Sequence, residues 1–386
     1  MNGDGDLRER ISQLLNHQYY VRQISERLGI PLRTLQRMMS RMGIAVRRRY
    51  SRIPYRNLQN IIHRLISENN NIGYRQVTVR LRLMGHQVRR ATVIQTIAEI
   101  FGPRNQRRRV ARRVYRVRAP LSIVHIDGNH KISRKWRFVI HGGIDGYSRL
   151  IFFMRVSSNN RAKTVLEGFL SGVEEYGLPS RIRTDRGGEN VGVGEFMLRA
   201  RGLNRGSCMT GSSVHNQRVE RMWRDVRMGC VSIFEREFAD MEEEGLLDAD
   251  DEHDMYCLHT VYYNVISEHL KEFVGYWNAH RLRGRPTPTQ MFIDGTIALQ
   301  ERATNEGREF TELRQDIEIP RLEDIHLPRE NRRNQIVIPP IRIVLNNEDH
   351  NEFQEIYATG STRIAVARDR YIEMRRHLRR HINMYY

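Results

Sequence analysis

Lysine is nearly missing from this chain. Of its 64 basic residues only Lys131, Lys135, Lys163 and Lys271 are lysine, which leaves 60 arginines. Cysteine is scarce too. Cys208, Cys230 and Cys257 are scattered without zinc-type spacing, which excludes a cysteine-based zinc module and points to a reducing compartment. No apolar run approaches the length of a membrane span, and the polar start MNGDGDLRER has none of the marks of a signal peptide. Neither a membrane nor a small-molecule substrate is therefore expected as a partner.

What is present is positive charge, and it is concentrated. The 386 residues carry a formal charge of +19, yet residues 1–118 alone hold 26 Arg against 6 acids. The remaining two-thirds is close to neutral. An arginine-rich first third suits a polyanion, because the planar guanidinium meets phosphate and guanine in a bidentate way. Nucleic acid is the expected partner.

That first third reads as two helical units, with boundaries at 1–50 and 51–118. In "VRQISERLGIPLRTLQRMM", Ile24, Leu28, Leu35 and Met38/Met39 fall at helical spacing, and Gly29 breaks the pattern. This predicts a helix-turn-helix, whose second helix would offer Arg33, Thr34 and Arg37 to DNA. Residues 55–101 repeat the plan. A helix, a polar break at Asn69–Asn71, a second helix through Leu83 and a Gly85 turn lead to a third helix, with Arg89, Arg90 and Thr92 where recognition residues would fall. The segment "GPRNQRRRVARRVYRVR" follows as an arginine-dense linker, with Arg107, Arg108 and Arg109 placed to track a DNA backbone.

From Leu121 the texture changes. "LSIVHID" predicts an apolar strand, and "WRFVIHGGIDGYSRLIFFMRV" predicts two more around a turn. "RAKTVLEGFLSGVEEYG" predicts a helix, "SRIRTD" another strand, and residues 214–280 mostly helix. The order describes an α/β domain with a mixed sheet over 119–300. Within it, "MEEEGLLDADDEHD" reads as a solvated loop and "GRPTPTQMFIDG" as proline-rich turn chemistry closing the domain. In the extension 301–386, "RNQIVIPPIRIVL" reads as a strand or hairpin. Residues 362–384 predict a basic amphipathic helix that packs on the body or a partner, or touches DNA.

The stretch "RIRTDRGGEN" raises the chemical question. Asp185 before Arg-Gly-Gly suits a turn, and it equally suits a metal ligand at a sheet rim. Asp127 ends "SIVHID" in the same manner, and Glu220 lies in "SSVHNQRVERMWRDV" near a helix start. Two strand-end aspartates and a helical glutamate can converge on Mg²⁺ or Mn²⁺, hard ions that take oxygen ligands. Two such ions about 4 Å apart activate a nucleophile and stabilise a leaving oxygen in phosphoryl transfer. Arg224 and Arg227 share a helix face with Glu220, placing them to hold phosphate or to form ion pairs. His125, His130 and His215 read as packing residues, and Asp145 and Glu189 as a turn and a helix start.

These motifs resemble those of the integrase-like transposases with an RNase H-like core and an Asp-Asp-Glu triad, meaning the retroviral-type integrases and insertion-sequence transposases. "HIDG", "GGIDGYSRLIFF", "TDRGGEN" and "HNQRVERMWRD" resemble the family's segments in order, and Asp185 to Glu220 is 35 residues, close to the family's spacing. The resemblance implies an α/β RNase H-like mixed sheet flanked by helices and preceded by helix-turn-helix units. It implies Asp127, Asp185 and Glu220 as catalytic metal ligands for two divalent ions, and Asn216 as an amide facing DNA. It also implies strand cleavage followed by strand transfer, DNA element ends and target DNA as partners, a homo-oligomer, and action in the nucleus if the source is eukaryotic, or in the cytoplasm and nucleoid otherwise. The chain departs from the family in lacking a His-His-Cys-Cys module and in carrying Arg218 where glycine is common. Two other readings use the same residues: a domesticated transposase that only binds DNA, and an RNase H-like nuclease without joining activity.

Overall fold

The computed structural model describes residues 3–17, 19–44, 50–69, 72–102, 117–211, 217–315, 317, 319–325, 327, 337–342 and 345–385. The chain divides into two units: Met1–Tyr115 with Tyr276–Ile297, and Arg116–Gly275 with Ala298–Tyr386.

The first unit is built from the two expected helical triplets. Helices α1 (Gly3–Asn16), α2 (Val21–Leu28) and α3 (Leu32–Arg41) enclose Ile11, Tyr19, Ile24, Leu35 and Met39. Gly29 closes α2 in the left-handed region at φ +64°, a conformation that costs glycine nothing. Helices α4 (Tyr55–Glu68), α5 (Tyr74–Leu83) and α6 (Arg90–Phe101) enclose a larger core around Leu58, Ile62, Val77, Leu81, Val93 and Ile97. In the same unit the Tyr19 hydroxyl donates to Asp294 Oδ1 at 2.6 Å, Arg27 pairs with that aspartate, and Gln290 Nε2 donates to the His17 carbonyl at 3.0 Å.

The second unit holds a five-stranded sheet in the order β3-β2-β1-β4-β5. Its elements run β1 (Val124–Asn129), α7 (Ser133–Trp136), β2 (Val139–Asp145), β3 (Ile151–Ser157), α8 (Ala162–Tyr176), β4 (Ile182–Thr184), α9 (Val191–Arg201), β5 (Cys208–Thr210), α10 (Gln217–Val226), α11 (Ser232–Glu243), α12 (Glu252–Ala279) as far as Gly275 and α13 (Pro288–Glu306) from Ala298, the remainder of both helices falling in the first unit. Strands β1, β2 and β3 are antiparallel neighbours, whereas β4 and β5 extend the sheet in parallel from β1. This is the RNase H-like mixed sheet that the motifs implied. Gly142 faces Trp223 of α10, while Gly143 faces Phe153, which packs on Gly168 of α8. Adjacent strand residues point to opposite faces, so α8 and α10 cover opposite sides. Asp145 serves the turn as read from the sequence: it is fully buried and accepts from the backbone N–H groups of Leu121, Tyr147 and Ser148 and from the Ser148 hydroxyl.

Three sequence expectations change. The acidic stretch 241–254 is not simply a solvated loop: it ends α11 and opens α12, and Asp254 is completely buried. The proline-rich turn at 284–287 gives way to α13 at Pro288, since proline at a first helical position loses no hydrogen bond. Residues 337–342, within the expected strand or hairpin, carry no strand.

The C-terminal segment explains the buried aspartate. Helix α14 (Asn347–Tyr357) is capped by the Asn346 side chain, and α15 (Ile364–Tyr385) is the expected amphipathic helix. It packs on its own body, burying Ala367, Tyr371, Met374 and Leu378. Arg375 donates to both oxygens of Asp254 at 2.5 and 2.9 Å, Arg379 adds a contact at 3.4 Å, and Arg368 pairs with Glu244 at 2.6 Å. Much of the helix's charge is therefore spent within the fold. Removing one member of a buried pair leaves the other uncompensated. Arg375→Ala should destabilise the protein by about 3 kcal/mol, read as a lower denaturant midpoint. Arg376→Ala, at an exposed position, should stay within about 0.5 kcal/mol.

Candidate active site

Strand β1 is apolar through Val124 and Ile126, which places Asp127 inside the strand instead of at its end as the sequence suggested. In the parallel register Val124 lies opposite Ile182 and His125 opposite Arg183. Two residues further along that register, Asp127 and Asp185 emerge side by side, Asp185 immediately following β4.

Asp185 is both turn residue and candidate ligand. Its Oδ1 accepts from the Gly187 N–H at 3.1 Å and from Asn190 Nδ2 at 2.8 Å. The turn thus fixes the carboxylate that it presents. Asp127 is held from two sides: Oδ1 accepts from the Gly128 N–H at 2.9 Å, and Oδ2 accepts from Trp223 Nε1 at 3.1 Å. Burial pushes the Asp127 carboxyl up to about 7, and the Asp185 charge adds to the rise. Donors from Gly128 and Trp223 oppose it, and Glu189 raises it slightly further. Glu189, read from the sequence only as a helix start, lies in a 3-10 turn (Gly188–Asn190) and is 6 % exposed. Its carboxyl is raised by burial and by Asp185, against a hydrogen bond from Asn160.

Glu220 stands on the exposed side of α10, one turn before Trp223. The fold therefore brings Asp127 and Asp185 together and seats the Glu220 helix beside them through Trp223. Among the described residues, no three His, Cys, Asp or Glu side chains come together closely enough to hold a metal. The Asp127–Asp185 pair nevertheless fits a hard divalent cation, because it offers oxygen donors only and its negative charges are forced together in a partly apolar setting.

The DNA-binding candidates divide similarly. Arg33, Thr34 and Arg37 are exposed on one face of α3, opposite buried Leu35 and Met39. Arg89 stacks over the Tyr50 ring at 5.0 Å, and Arg90 lies over Tyr74 at 4.9 Å while donating to its hydroxyl at 2.8 Å. Arg75 donates to the same hydroxyl at 3.1 Å, so Tyr74 gathers two guanidinium groups. Arg224 is exposed on α10. Arg227 takes the ion-pair alternative, but with Glu235: its Nε donates to both carboxylate oxygens at 3.2 and 3.0 Å. It sits at the start of a π-helical turn (Arg227–Val231). Arg107, Arg108, Arg109 and Asn216 lie outside the described residues. Trp223, Asn190, Gly142 and Tyr74 were not singled out from the sequence. Asn190, Trp223 and Gly142 fall within the quoted motifs, whereas nothing local marks Tyr74.

The raised Asp127 carboxyl makes stability depend on pH in a definite direction. Without divalent metal, the folded chain keeps this proton up to about pH 7, whereas an unfolded aspartate loses it near 4. Stability from this group is therefore present below pH 4 and is lost as pH rises through 7. Asp127→Asn should raise the melting temperature above wild type at pH 8 in EDTA, with a gap that shrinks toward pH 4. Thermal denaturation at both pH values checks this, and a pH-independent gap would contradict it.

A protein-family model described as integrase core domain matches residues 114–306. No curated protein matches the chain. Among solved structures, the HTLV-2 integrase catalytic core domain in complex with magnesium is similar in its trimeric form at 15 % identity. That alignment covers 46 % of this chain and 99 % of that one, with a TM-score of 0.31. Its dimeric form gives 15 % identity over 45 % and 97 %, with a TM-score of 0.30. The simian T-cell lymphotropic virus intasome in complex with PP2A regulatory subunit B56 gamma gives 13 % identity over 60 % and 72 %, with a TM-score of 0.35. Matched by that model along half of its length, and carrying Asp127 on β1 and Asp185 just after β4 of a mixed sheet, the chain belongs to the integrase core domain family.

Proposed function

We propose that the protein is a DNA strand-transferring enzyme, an integrase or transposase whose carboxylates hold two Mg²⁺ or Mn²⁺ ions. The observation that carries this reading is the side-by-side placement of Asp127 and Asp185, with the burial and mutual repulsion that favour a cation between them. Glu220, on the helix seated against β1 and β2, would complete the oxygen set. When bound, the ions supply activation of the attacking oxygen and stabilisation of the leaving one.

The chain's own residues do the positioning. Asn190 and the Gly187 N–H fix Asp185, while Trp223 and the Gly128 N–H fix Asp127. Preset orientation matters because phosphoryl transfer needs in-line geometry more than covalent help from the protein. Exposed Arg224 is suited to a DNA phosphate beside the site. The arginine face of α3 and the Arg89–Arg90 pair at the start of α6, stacked over the Tyr50 and Tyr74 rings, support recognition of element ends. Two ends to be joined call for at least two copies of the chain, acting in the nucleus in a eukaryotic cell.

Strand transfer with labelled end oligonucleotides and MgCl2 tests the reading. Asp185→Asn should lower the rate at least about a hundredfold, since a bound ion contributes several kcal/mol to the transition state. Full activity in this variant would overturn it. Retained DNA binding with no metal-dependent product in wild type would favour a domesticated binding protein, and cleavage without joining would favour a nuclease. The double substitution Arg33→Ala, Arg37→Ala should weaken DNA binding and flatten the slope of log K against log salt by about two.

A further inference from the structure

Trp223 occupies a position that packing alone does not explain. It is 8 % exposed, and both it and the neighbouring buried Met222 face Gly142 of β2. Indole Nε1–H is a donor only, and a buried tryptophan needs an acceptor for it. The acceptor here is Asp127 Oδ2, at 3.1 Å and 96 residues away in sequence. The approach is possible because Asp127 pairs across the antiparallel register with Gly142. A Cβ at 142 would stand 3.0 Å from Trp223 Cη2 and 3.3 Å from Met222 Cε, so a side chain there would close the slot in which the indole lies. Phenylalanine would fill most of that volume but would leave Oδ2 without its donor.

Two consequences follow from this geometry. The Asp127 carboxylate has one lone pair on each oxygen engaged, Oδ1 by Gly128 and Oδ2 by Trp223, which fixes its plane and leaves the other lone pairs for a ligand. Glu220 is three residues before Trp223, at the exposed edge of the face of α10 that buries the indole. Whatever anchors the indole also sets how far Glu220 stands from the aspartates.

We propose that Trp223, received by the slot at Gly142, is a positioning residue that orients Asp127 and docks the Glu220 helix for binding of a divalent cation. This rests on the reading that Asp127 and Asp185 hold such a cation. Partners that orient a metal ligand typically change affinity by 10–100-fold. The indole, bonded directly to a ligand oxygen, also reports occupancy through its fluorescence.

The test titrates the full-length protein with MgCl2, following tryptophan emission and heat. Wild type should show an emission change that saturates with the calorimetric isotherm. Trp223→Phe should lose that change although Trp136 and Trp277 remain, and its calorimetric midpoint should rise by at least about tenfold. Strand transfer by this variant should recover toward wild type at saturating Mg²⁺, a recovery that a merely unfolded core would not show. Gly142→Ala, which leaves the indole in place but narrows its slot, should shift the midpoint the same way and serves if Trp223→Phe does not fold. Unchanged midpoints in the variants, with clear binding by wild type, would overturn the positioning role alone. No Mg²⁺ binding by wild type would overturn the cation reading together with it.

Discussion

Two carboxylates that repel each other organise the sheet-bearing unit. Asp127 and Asp185 leave adjacent parallel strands at the same level, and the apolar residues that make those strands also strip water from Asp127. An arrangement of this kind lowers stability unless something relieves it. The surrounding structure consists largely of devices that hold the pair in place. A turn bonds back to Asp185, a backbone N–H and an indole clamp Asp127, and Gly142 makes the room the indole requires.

The C-terminal segment shows the opposite electrostatic solution. Asp254 is buried more deeply than either active-site aspartate, yet it meets Arg375 in a bidentate pair with Arg379 alongside. One buried acid is met by arginines, whereas the Asp127–Asp185 pair has, among the described residues, no basic partner in its hydrogen bonds and, on the proposed reading, awaits a cation.

Local patterns made the helices α1 to α6 and the strands β1 to β4 legible in the sequence, because apolar periodicity and glycine or proline stops lie within a few residues of one another. Asp127 and Asp185 were legible for the same reason, each closing an apolar run. Strand β5 was not, since Cys208–Thr210 is too short to show a period. The Trp223–Asp127 bond and the Arg375–Asp254 pair were equally hidden: they span 96 and 121 residues, and nothing local marks a donor for so distant an acceptor. The acidic stretch at 241–254 looked solvated because the arginines that bury its last residue come from the other end of the unit. Arg227 could be placed on the Glu220 face from spacing, but neither the π-helical turn in which it sits nor its pairing with Glu235 could be.

On the proposed cation reading, Asp127, raised to about 7 by burial beside Asp185, should give up its proton when a divalent cation binds. Calorimetric titration with MgCl2 at pH 6.5, in two buffers of different ionisation enthalpy, counts protons released on binding. A large fraction of one proton should be released at pH 6.5 and almost none at pH 8.5, where Asp127 is already ionised. Binding with no proton release at either pH, or release unchanged by Asp127→Asn, would contradict it.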